Sequence, residues 1–274
     1  MEEVSEILKV MAEEGVKPDS ITHSVIVKAY CVRGELESAM ATIRSMQECK
    51  MEHDAVVYNT CLDACSKQSR LDLVDKLLKD MVAHDISPTN FTLGILVKTF
   101  ARAKQLDKVF EIMETLPKLG HFVPNQQVWM CLLCSCLNND APDKALEVLA
   151  DMRANGHPVD SKVYQVLISG LVKHGWLQEA VKLVDQVYGL GGNVDTDCKP
   201  SDGMCVGMEC LEALFSAIAQ KGLRQHLGLP LLERFRAAQL PVSGRILNCA
   251  FAITGDYNNK QQKGIDANRR SFRK

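Results

Sequence analysis

A sequence pattern of about 35 residues recurs through most of this 274-residue chain and constrains its fold more than any other feature. Three columns of residues keep one series of intervals, which is 35, 35, 36 and 35. The columns are His23, Tyr58, Leu93, Trp129 and Tyr164; Leu36, Leu71, Leu106, Pro142 and Leu177; and Met46, Met81, Leu116, Met152 and Val187. Because all three columns share even the one longer interval, we interpret the chain as an array of repeats.

Each full unit contains two stretches in which apolar residues recur at helical spacing, and no stretch alternates as a strand would. The first stretch, such as 56–67, ends at a polar break. The second opens with an acidic residue, such as Asp72 or Asp107, which suits the positive end of a helix dipole. These patterns predict an all-α fold, a solenoid of helix-turn-helix units in which each unit buries its apolar face against its neighbours.

The predicted boundaries follow the repeat count. They are a half-repeat (second helix only) at 1–19, repeats at 20–54, 55–89, 90–125 and 126–160, a repeat with a degenerate end at 161–195, a loop insertion at 196–203, a divergent capping hairpin at 204–243 and a basic polar tail at 244–274. We expect the tail to be disordered, because from Gly255 onward it is polar and has six basic residues against two acidic ones. The half-repeat suggests a longer array or an incomplete start.

Several classes of protein are disfavoured by the sequence. No stretch approaches the roughly 20 apolar residues that span a bilayer. Most of the eleven cysteines fall in apolar helical stretches, where cysteine packs as a small hydrophobe. The Cys131, Cys134 and Cys136 cluster lacks the second ligand pair of a structural zinc site. None of the seven histidines has the glutamate two residues later that zinc deaminases require. We expect no metal, no cofactor and no catalysis.

The repeats contain the segments Val57-Tyr58-Asn59-Thr60-Cys61-Leu62, Gly34-Glu35-Leu36-Glu37-Ser38-Ala39 and Gly15-Val16-Lys17-Pro18-Asp19. In this it resembles the pentatricopeptide repeat, over about residues 1–190, whereas the tetratricopeptide signature is not found. The resemblance implies a right-handed superhelix that binds single-stranded RNA, usually in plastids or mitochondria. Such arrays read about one base per repeat with two or three side chains.

The resemblance also implies which residues read the bases. They are the fifth and the last residue of each unit, and the second residue sandwiches the base. The pairs are Ser24 with Asp54, Asn59 with Thr89, Gly94 with Asn125, Met130 with Asp160, and Gln165 with a partner near Asp195; the second residues are Ile21, Val56 and Phe91. The first pair implies guanine, the second a pyrimidine and the third a weak adenine preference, whereas the last two lie outside the family's code.

The distribution of charge agrees with RNA binding better than the net charge of −2 does. The first stretches of the five units carry eight cations against the single anion Asp63. The cations are Lys28, Arg33, Lys67, Lys98, Arg102, Lys104, Lys162 and Lys173. A cationic row of this kind is what an electrostatic track for a single strand requires, and Lys28 and Lys98 are expected to contact RNA.

Two functions remain open from the sequence. The first is a non-catalytic, sequence-selective adaptor for single-stranded RNA in organellar RNA processing, stability, editing or translation. The second is a protein-interaction scaffold, or a subunit of a ribosome-like assembly, that has lost base reading; Gly94, Met130 and Gln165 at reading positions favour it. The N-terminus shows no transit peptide, so the expected location, chloroplast or mitochondrion, rests on the resemblance. The sequence does not specify the target transcript.

Overall fold

The computed structural model describes residues 6, 10–11, 13–16, 18–49, 55–190 and 205–251. Within this part of the chain it contains thirteen α-helices and no strand, which confirms the predicted all-α fold. The chain forms two compact units, 1–141 and 142–274, and the boundary falls between the seventh and eighth helices. No helix of the described residues is long and apolar enough to cross a membrane.

The first unit contains three helical hairpins and one further helix. The helices are α1 (Ser20–Arg33), α2 (Leu36–Glu48), α3 (Ala55–Lys67), α4 (Leu71–Ala83), α5 (Asn90–Arg102), α6 (Leu106–Gly120) and α7 (Gln126–Asn138). The first helices of the repeats, α1, α3, α5 and α7, pack side by side in that order, and each of the first three also packs on its own second helix. This arrangement confirms the predicted stack of hairpins within the unit.

The second unit continues the alternation of helices. Its helices are α8 (Pro142–Ala154), α9 (Ser161–His174), α10 (Leu177–Tyr188), α11 (Met208–Gln220), α12 (Leu229–Ala237) and α13 (Gly244–Phe251), and a π-helical turn (Arg224–Gly228) precedes α12. Helices α9, α11 and α13 pack in succession. The predicted hairpin at 204–243 therefore corresponds to α11, the π-helical turn and α12.

The repeating apolar columns form the cores of both units. Met46, Met81 and Met152 are completely buried in the second helices α2, α4 and α8, and Leu116 and Val187 of the same column are buried as well. Tyr58 is also fully buried, and its hydroxyl donates a hydrogen bond of 2.9 Å to Asp80. The column of Met46 is therefore explained by burial, which contributes roughly 1.5–3 kcal/mol for each large apolar side chain. In the other two columns His23, Leu71, Leu106 and Trp129 are only half-buried.

The turn inside each hairpin contains a residue with a left-handed backbone, and this residue lies at an equivalent position in each repeat. This residue has a φ between 56° and 81° in all five repeats. The five residues are Gly34, Ser69, Lys104, Asp140 and Gly175, and their intervals are again 35, 35, 36 and 35. Glycine adopts this conformation without steric cost, whereas the other three residues are strained by it. In the hairpins α1–α2, α3–α4, α5–α6 and α9–α10, the chain reverses at this residue and the two helices pack together.

The structure differs from the predicted boundaries at the C-terminal end. Residues 244–251, which the sequence analysis assigned to a polar tail, form helix α13, and its Ile246 is completely buried. Helix α13 packs on α11 as one first helix packs on the next. The apolar residues Ile246 and Ala250 account for the difference, because they form a short apolar face inside a polar segment. The insertion 196–203 and residues 252–274 lie outside the described residues.

Candidate nucleic-acid interface

The second residues of the first three repeats form an exposed apolar row in the first unit. Ile21, Val56 and Phe91 are 74%, 66% and 67% exposed. Each lies in the first turn of its helix, and the helices α1, α3 and α5 that carry them pack side by side. Exposed apolar side chains at one repeated position provide surfaces on which successive bases can stack.

Asn59, the fifth residue of its repeat, is held by the following repeat. It is only 5% exposed, and its Oδ1 accepts a hydrogen bond of 2.8 Å from the Thr92 hydroxyl. The same Thr92 oxygen accepts a hydrogen bond of 3.0 Å from the Thr89 backbone N–H. Thr92 thus brings together Asn59 and Thr89, the two predicted reading residues of this repeat. Among the described residues, the Nδ2 group of Asn59 has no acceptor.

The other fifth residues are placed in different ways. Ser24 is half-buried, and its hydroxyl donates a hydrogen bond of 2.8 Å to the Ser20 carbonyl of its own helix. Met130 is half-buried and has no hydrogen-bonding group. Gly94 adjoins open space, because a Cβ built on it would meet no atom within 4 Å. The predicted partner of Ser24, Asp54, lies outside the described residues.

Gln165 lies beside a residue that the sequence analysis did not select. A Cβ built on Gly207 would be 3.3 Å from Gln165 Nε2. Gly207 directly precedes α11, so it occupies the place that a last residue has in the other repeats. The expected partner near Asp195 lies outside the described residues. The insertion between α10 and α11 obscures this partner in the sequence, because it adds residues that the repeat count does not contain.

The last residues of the repeats cap the helices that follow them. Asn125 Oδ1 accepts a hydrogen bond of 3.0 Å from the Val128 N–H, and Asp160 Oδ1 accepts one of 2.9 Å from the Val163 N–H. Thr89 forms a reciprocal capping box with Thr92. Asp19 caps α1, and the hydrogen bonds from Thr22 hold the pKa of its carboxyl group below the usual value. These side chains therefore satisfy helix N-termini and are exposed at the same time.

A cavity of about 750 Å³ in the first unit brings several predicted residues together. It lies over α3, α5 and the start of α7, around Gly94, which has no side chain. Its lining includes the stacking residue Phe91, the last residues Thr89 and Asn125, and the cations Lys98 and Arg102. Aromatic, hydrogen-bonding and cationic groups are thereby within one concave surface, which is the combination that a base and its phosphate need.

The eight predicted cations of the first stretches are not equivalent. Arg33 forms an ion pair with Glu35, and Lys67 with Asp63, each at 2.7 Å. Lys104 lies beyond the end of α5, where its Nζ donates a hydrogen bond to the Asn138 carbonyl at 3.1 Å. The remaining cations are exposed on their first helices; they are Lys28, Lys98, Arg102, Lys162 and Lys173. The predicted charge on the first helices is therefore partly neutralised by local pairs.

Two further residues, in α11 and directly before α13, occupy the positions equivalent to a reading pair. These helices begin 36 residues apart, at Met208 and Gly244, as α5 and α7 do. Glu212 is the fifth residue of α11, and Ser243 directly precedes α13. The Ser243 hydroxyl donates a hydrogen bond of 2.7 Å to Glu212 Oε1. The interval between Met208 and Gly244 is the sequence signal that could have identified this repeat.

Among the described residues, no group of three or more His, Cys, Asp or Glu side chains is arranged to hold a metal ion. Cys131 and Cys136 are buried in α7, and Cys134 is half-buried. The cysteine cluster of this helix therefore packs within the first unit.

Models of three related families match the sequence. The model described as the PPR repeat family matches residues 53–102 and 124–173, the pentatricopeptide repeat domain matches 6–68, and the PPR repeat matches 162–191. Together they cover more than half of the chain. The chain belongs to the pentatricopeptide repeat family. As a member, it has the solenoid fold of helical hairpins that the sequence predicted.

Solved structures of the family share this fold. The crystal structure of the pentatricopeptide repeat protein PPR10 from maize is similar with a TM-score of 0.63 over 96% of this chain and 37% of that protein, at 18% identity. The structure of PPR10 in complex with an 18-nt psaJ RNA element is similar with a TM-score of 0.55 over 90% of this chain and 39% of that chain, at 15% identity.

Curated relatives include proteins with organellar names. The small ribosomal subunit protein mL103 (rPPR7) of Arabidopsis thaliana is 24% identical over 151 residues, which are 55% of this chain and 36% of the relative. The mitochondrial 15S rRNA processing factor CCM1 of Komagataella phaffii is 26% identical over 137 residues, or 49% of this chain and 19% of that protein. This pentatricopeptide repeat chain thus spans about a third or less of the length of these relatives.

Proposed function

We propose that the chain binds single-stranded RNA as a sequence-selective, non-catalytic adaptor in organellar RNA processing, stability, editing or translation. The observation that carries the proposal is the cavity of the first unit, in which Phe91, Asn125, Lys98 and Arg102 line one surface. A base can stack on Phe91 while the two cations attract its phosphate. RNA-bound PPR10 and an rRNA processing factor among the similar proteins support the proposal.

The proposed reading follows the repeats, with about one base for each. Asn59 and Thr89, linked through Thr92, select a pyrimidine; Ser24 with Asp54 selects guanine; and Gly94 with Asn125 has a weak preference for adenine. Ile21, Val56 and Phe91 sandwich the bases, and Lys28 and Lys98 contact phosphates. Met130 with Asp160, and Gln165 with Gly207, contribute affinity without a base code. The protein acts in a chloroplast or mitochondrion; a chloroplastic and a mitochondrial protein among the relatives support this location.

Selection from a random single-stranded RNA pool tests this function. We expect the wild-type chain to enrich a short motif with at least one strongly preferred pyrimidine. Asn59→Ala should remove that preference, and Ser24→Ala should weaken the preference at another position. Affinity should fall as salt rises, because phosphate contacts release counterions. A chain that enriches no motif, and whose two variants bind as the wild type does, contradicts the adaptor function.

A second function is supported by the residues at the later reading positions. Met130 has no hydrogen-bonding group, Gly94 has no side chain, and one of the similar proteins is a ribosomal subunit protein. These features suit a scaffold within a ribosomal or other protein assembly. Co-sedimentation of the chain with organellar ribosomal particles, unchanged after RNase treatment of free RNA and unaffected by Asn59→Ala, would favour the scaffold over the adaptor.

A further inference from the structure

The repeat 90–125 is one residue longer than its neighbours, and a single side chain holds its end in place. Asn90, the first residue of α5, donates a hydrogen bond of 3.0 Å from Nδ2 to the Val123 carbonyl. Its Oδ1 accepts a hydrogen bond of 2.8 Å from the Asn125 N–H. One amide group thus binds the backbone at two points of the segment between α6 and α7.

In the preceding repeat, the backbone N–H of the last residue has a different acceptor. There the N–H of the last residue, Thr89, is satisfied by the hydroxyl of Thr92 in the next helix. The residue equivalent to Thr92 in α7 is Val128, which has no hydroxyl. Val128 cannot accept the Asn125 N–H as Thr92 accepts that of Thr89, and Asn90 Oδ1 accepts it instead. Ala55, at the position equivalent to Asn90, has no side chain that could do so.

The bond to Asn90 leaves one hydrogen-bonding group of Asn125 for a ligand. Asn125 Oδ1 is occupied by the Val128 N–H, whereas its Nδ2 donates to no acceptor among the described residues. Gly94, the other reading residue of this repeat, has no side chain. Asn90 and Asn125 both line the cavity around Gly94. The orientation of Asn125 Nδ2 therefore determines which edge of a base can be bound there.

We propose that Asn90 is a positioning residue for base selection by the repeat 90–125. Through its two hydrogen bonds to Val123 and Asn125, Asn90 holds the Nδ2 donor of Asn125 toward a nucleobase that presents an acceptor, such as a ring nitrogen or carbonyl oxygen. The inference rests on the proposed RNA-binding function, and it assigns a role to a residue outside the expected reading positions.

Variants of Asn90 test the inference with RNAs that differ at one base. The probes are the RNA enriched by the wild-type chain and its three single-base alternatives at the position whose preference Asn125→Ala changes. Asn90→Ala should reduce the ratio of affinities between the best and the worst base about five-fold, as the loss of one hydrogen bond predicts. Asn90→Asp retains an acceptor for the Asn125 N–H but replaces the donor to the Val123 carbonyl by a carboxylate oxygen, so it should keep more of this ratio than Asn90→Ala does, while its negative charge weakens all four RNAs similarly.

Gln47→Ala is the matched control in the same unit. Gln47 donates hydrogen bonds of 2.7 Å from α2 to Tyr58 in α3 and to Asp80 in α4, so its loss should lower the unfolding temperature without changing the ratio. Faster hydrogen exchange of the Asn125 amide in Asn90→Ala, but not in Asn90→Asp, is the expected second readout, and it needs no RNA.

The outcomes separate the inference from the proposed function. A chain that selects RNA, but whose Asn90→Ala variant weakens all four RNAs equally, overturns the role of Asn90 alone. Unchanged exchange of the Asn125 amide in Asn90→Ala overturns the hydrogen-bonded arrangement itself. A wild-type chain that enriches no RNA overturns the proposed function, and the role of Asn90 in base selection falls with it.

Discussion

At the residue scale, Asn59 takes part in packing and, in the proposed function, in base recognition. Its carbonyl oxygen is bound by Thr92, whereas its amide group has no acceptor among the described residues. Because Thr92 binds the carbonyl oxygen of Asn59, the Nδ2 donor of Asn59 points in one direction. In the proposed function, Thr92 thereby influences base recognition although it lies in the next repeat. The stability of the stack and the orientation of a reading group therefore depend on one hydroxyl.

Thr92→Val should lower the free energy of unfolding by about 1–3 kcal/mol, because it leaves the buried Asn59 acceptor and the Thr89 N–H without their partner. Valine keeps the shape of threonine, so packing is preserved. The measurement is urea denaturation followed by circular dichroism. Thr60→Val is the control, since the Thr60 hydroxyl bonds only to the Val56 carbonyl of its own helix. Equal effects of the two substitutions would contradict the prediction.

Two thiols of neighbouring first helices should differ in reactivity. Cys31 and Cys61 lie with their sulfur atoms 3.5 Å apart, and the hydrogen bond from Cys61 lowers the pKa of Cys31. Burial raises the pKa of Cys65 to about 12. A lower pKa increases the thiolate fraction, which is the reactive form. Cys31 is therefore expected to react with iodoacetamide before Cys61 and Cys65, as peptide mass spectrometry can show.

Cys61→Ala provides the control for this prediction. It removes the hydrogen bond to Cys31, so the pKa of Cys31 should rise and its alkylation at neutral pH should slow. Alkylation of Cys31 at an unchanged rate in the variant would show that exposure, rather than the hydrogen bond, governs its reactivity.

At the element scale, the hairpins depend on their left-handed turns and on polar contacts from one second helix to both helices of the next repeat. In the first unit, Gln47 donates hydrogen bonds to Tyr58 and Asp80. In the second unit, Arg153 donates equivalent bonds to Tyr164 and Gln186, at 2.7 and 3.2 Å. The same three positions are therefore joined in both units. These contacts connect successive repeats.

Ser69→Gly should raise the free energy of unfolding by about 0.5–1 kcal/mol, because it relieves a left-handed residue with a φ of 58°. The reverse change at the equivalent turn, Gly34→Ala, should destabilise the chain. There a Cβ would be strained by a φ of 81° and would lie 2.7 Å from Gln68 Nε2. Thermal unfolding of both variants measures the two effects. A destabilised Ser69→Gly would contradict the assigned turn.

Much of this element-scale description could be predicted from the sequence, and the missing part has a physical explanation. Column residues such as Met46 and Tyr58 are buried as their intervals predict, because the repeat spacing brings equivalent positions together. The bond between Asn59 and Thr92 spans 33 residues, and it depends on helix separations that no local pattern encodes. Gly207 and Ser243 were missed since the insertion before α11 interrupts the count that identifies the other repeats.

At the scale of the whole molecule, net charge is a poor guide to the binding surface. The chain has a net charge of −2, yet Lys98 and Arg102 line the cavity of the first unit. Arg70, by contrast, begins the second helix of its hairpin and pairs with Glu37 and Asp72, at 3.0 and 2.9 Å. Because Lys98 and Arg102 take part in none of the ion pairs among the described residues, they belong, with Lys28, Lys162 and Lys173, to the first-helix cations that can attract phosphate.

The double substitution of Lys98 and Arg102 by alanine should weaken RNA binding and reduce its salt dependence. The slope of log affinity against log salt should become shallower by about 1.4, since each phosphate contact on a single strand contributes about 0.7. Fluorescence anisotropy over a salt series measures the slope. Arg70→Ala removes a cation of the same unit that is already paired, and it should leave the slope unchanged. Equal slopes for all three proteins would place the phosphates elsewhere.

The capping role of the last residue in each repeat restricts how the specificity of such a chain can evolve. Asn125 and Asp160 each bind the N-terminus of the next helix, and replacing such a cap by alanine costs about 1 kcal/mol. Only Asn, Asp, Ser and Thr combine good capping with a polar group for a ligand. Evolution toward a new target is thus confined to a small set of residues at this position. Wider variation is left to the fifth residue, which caps nothing.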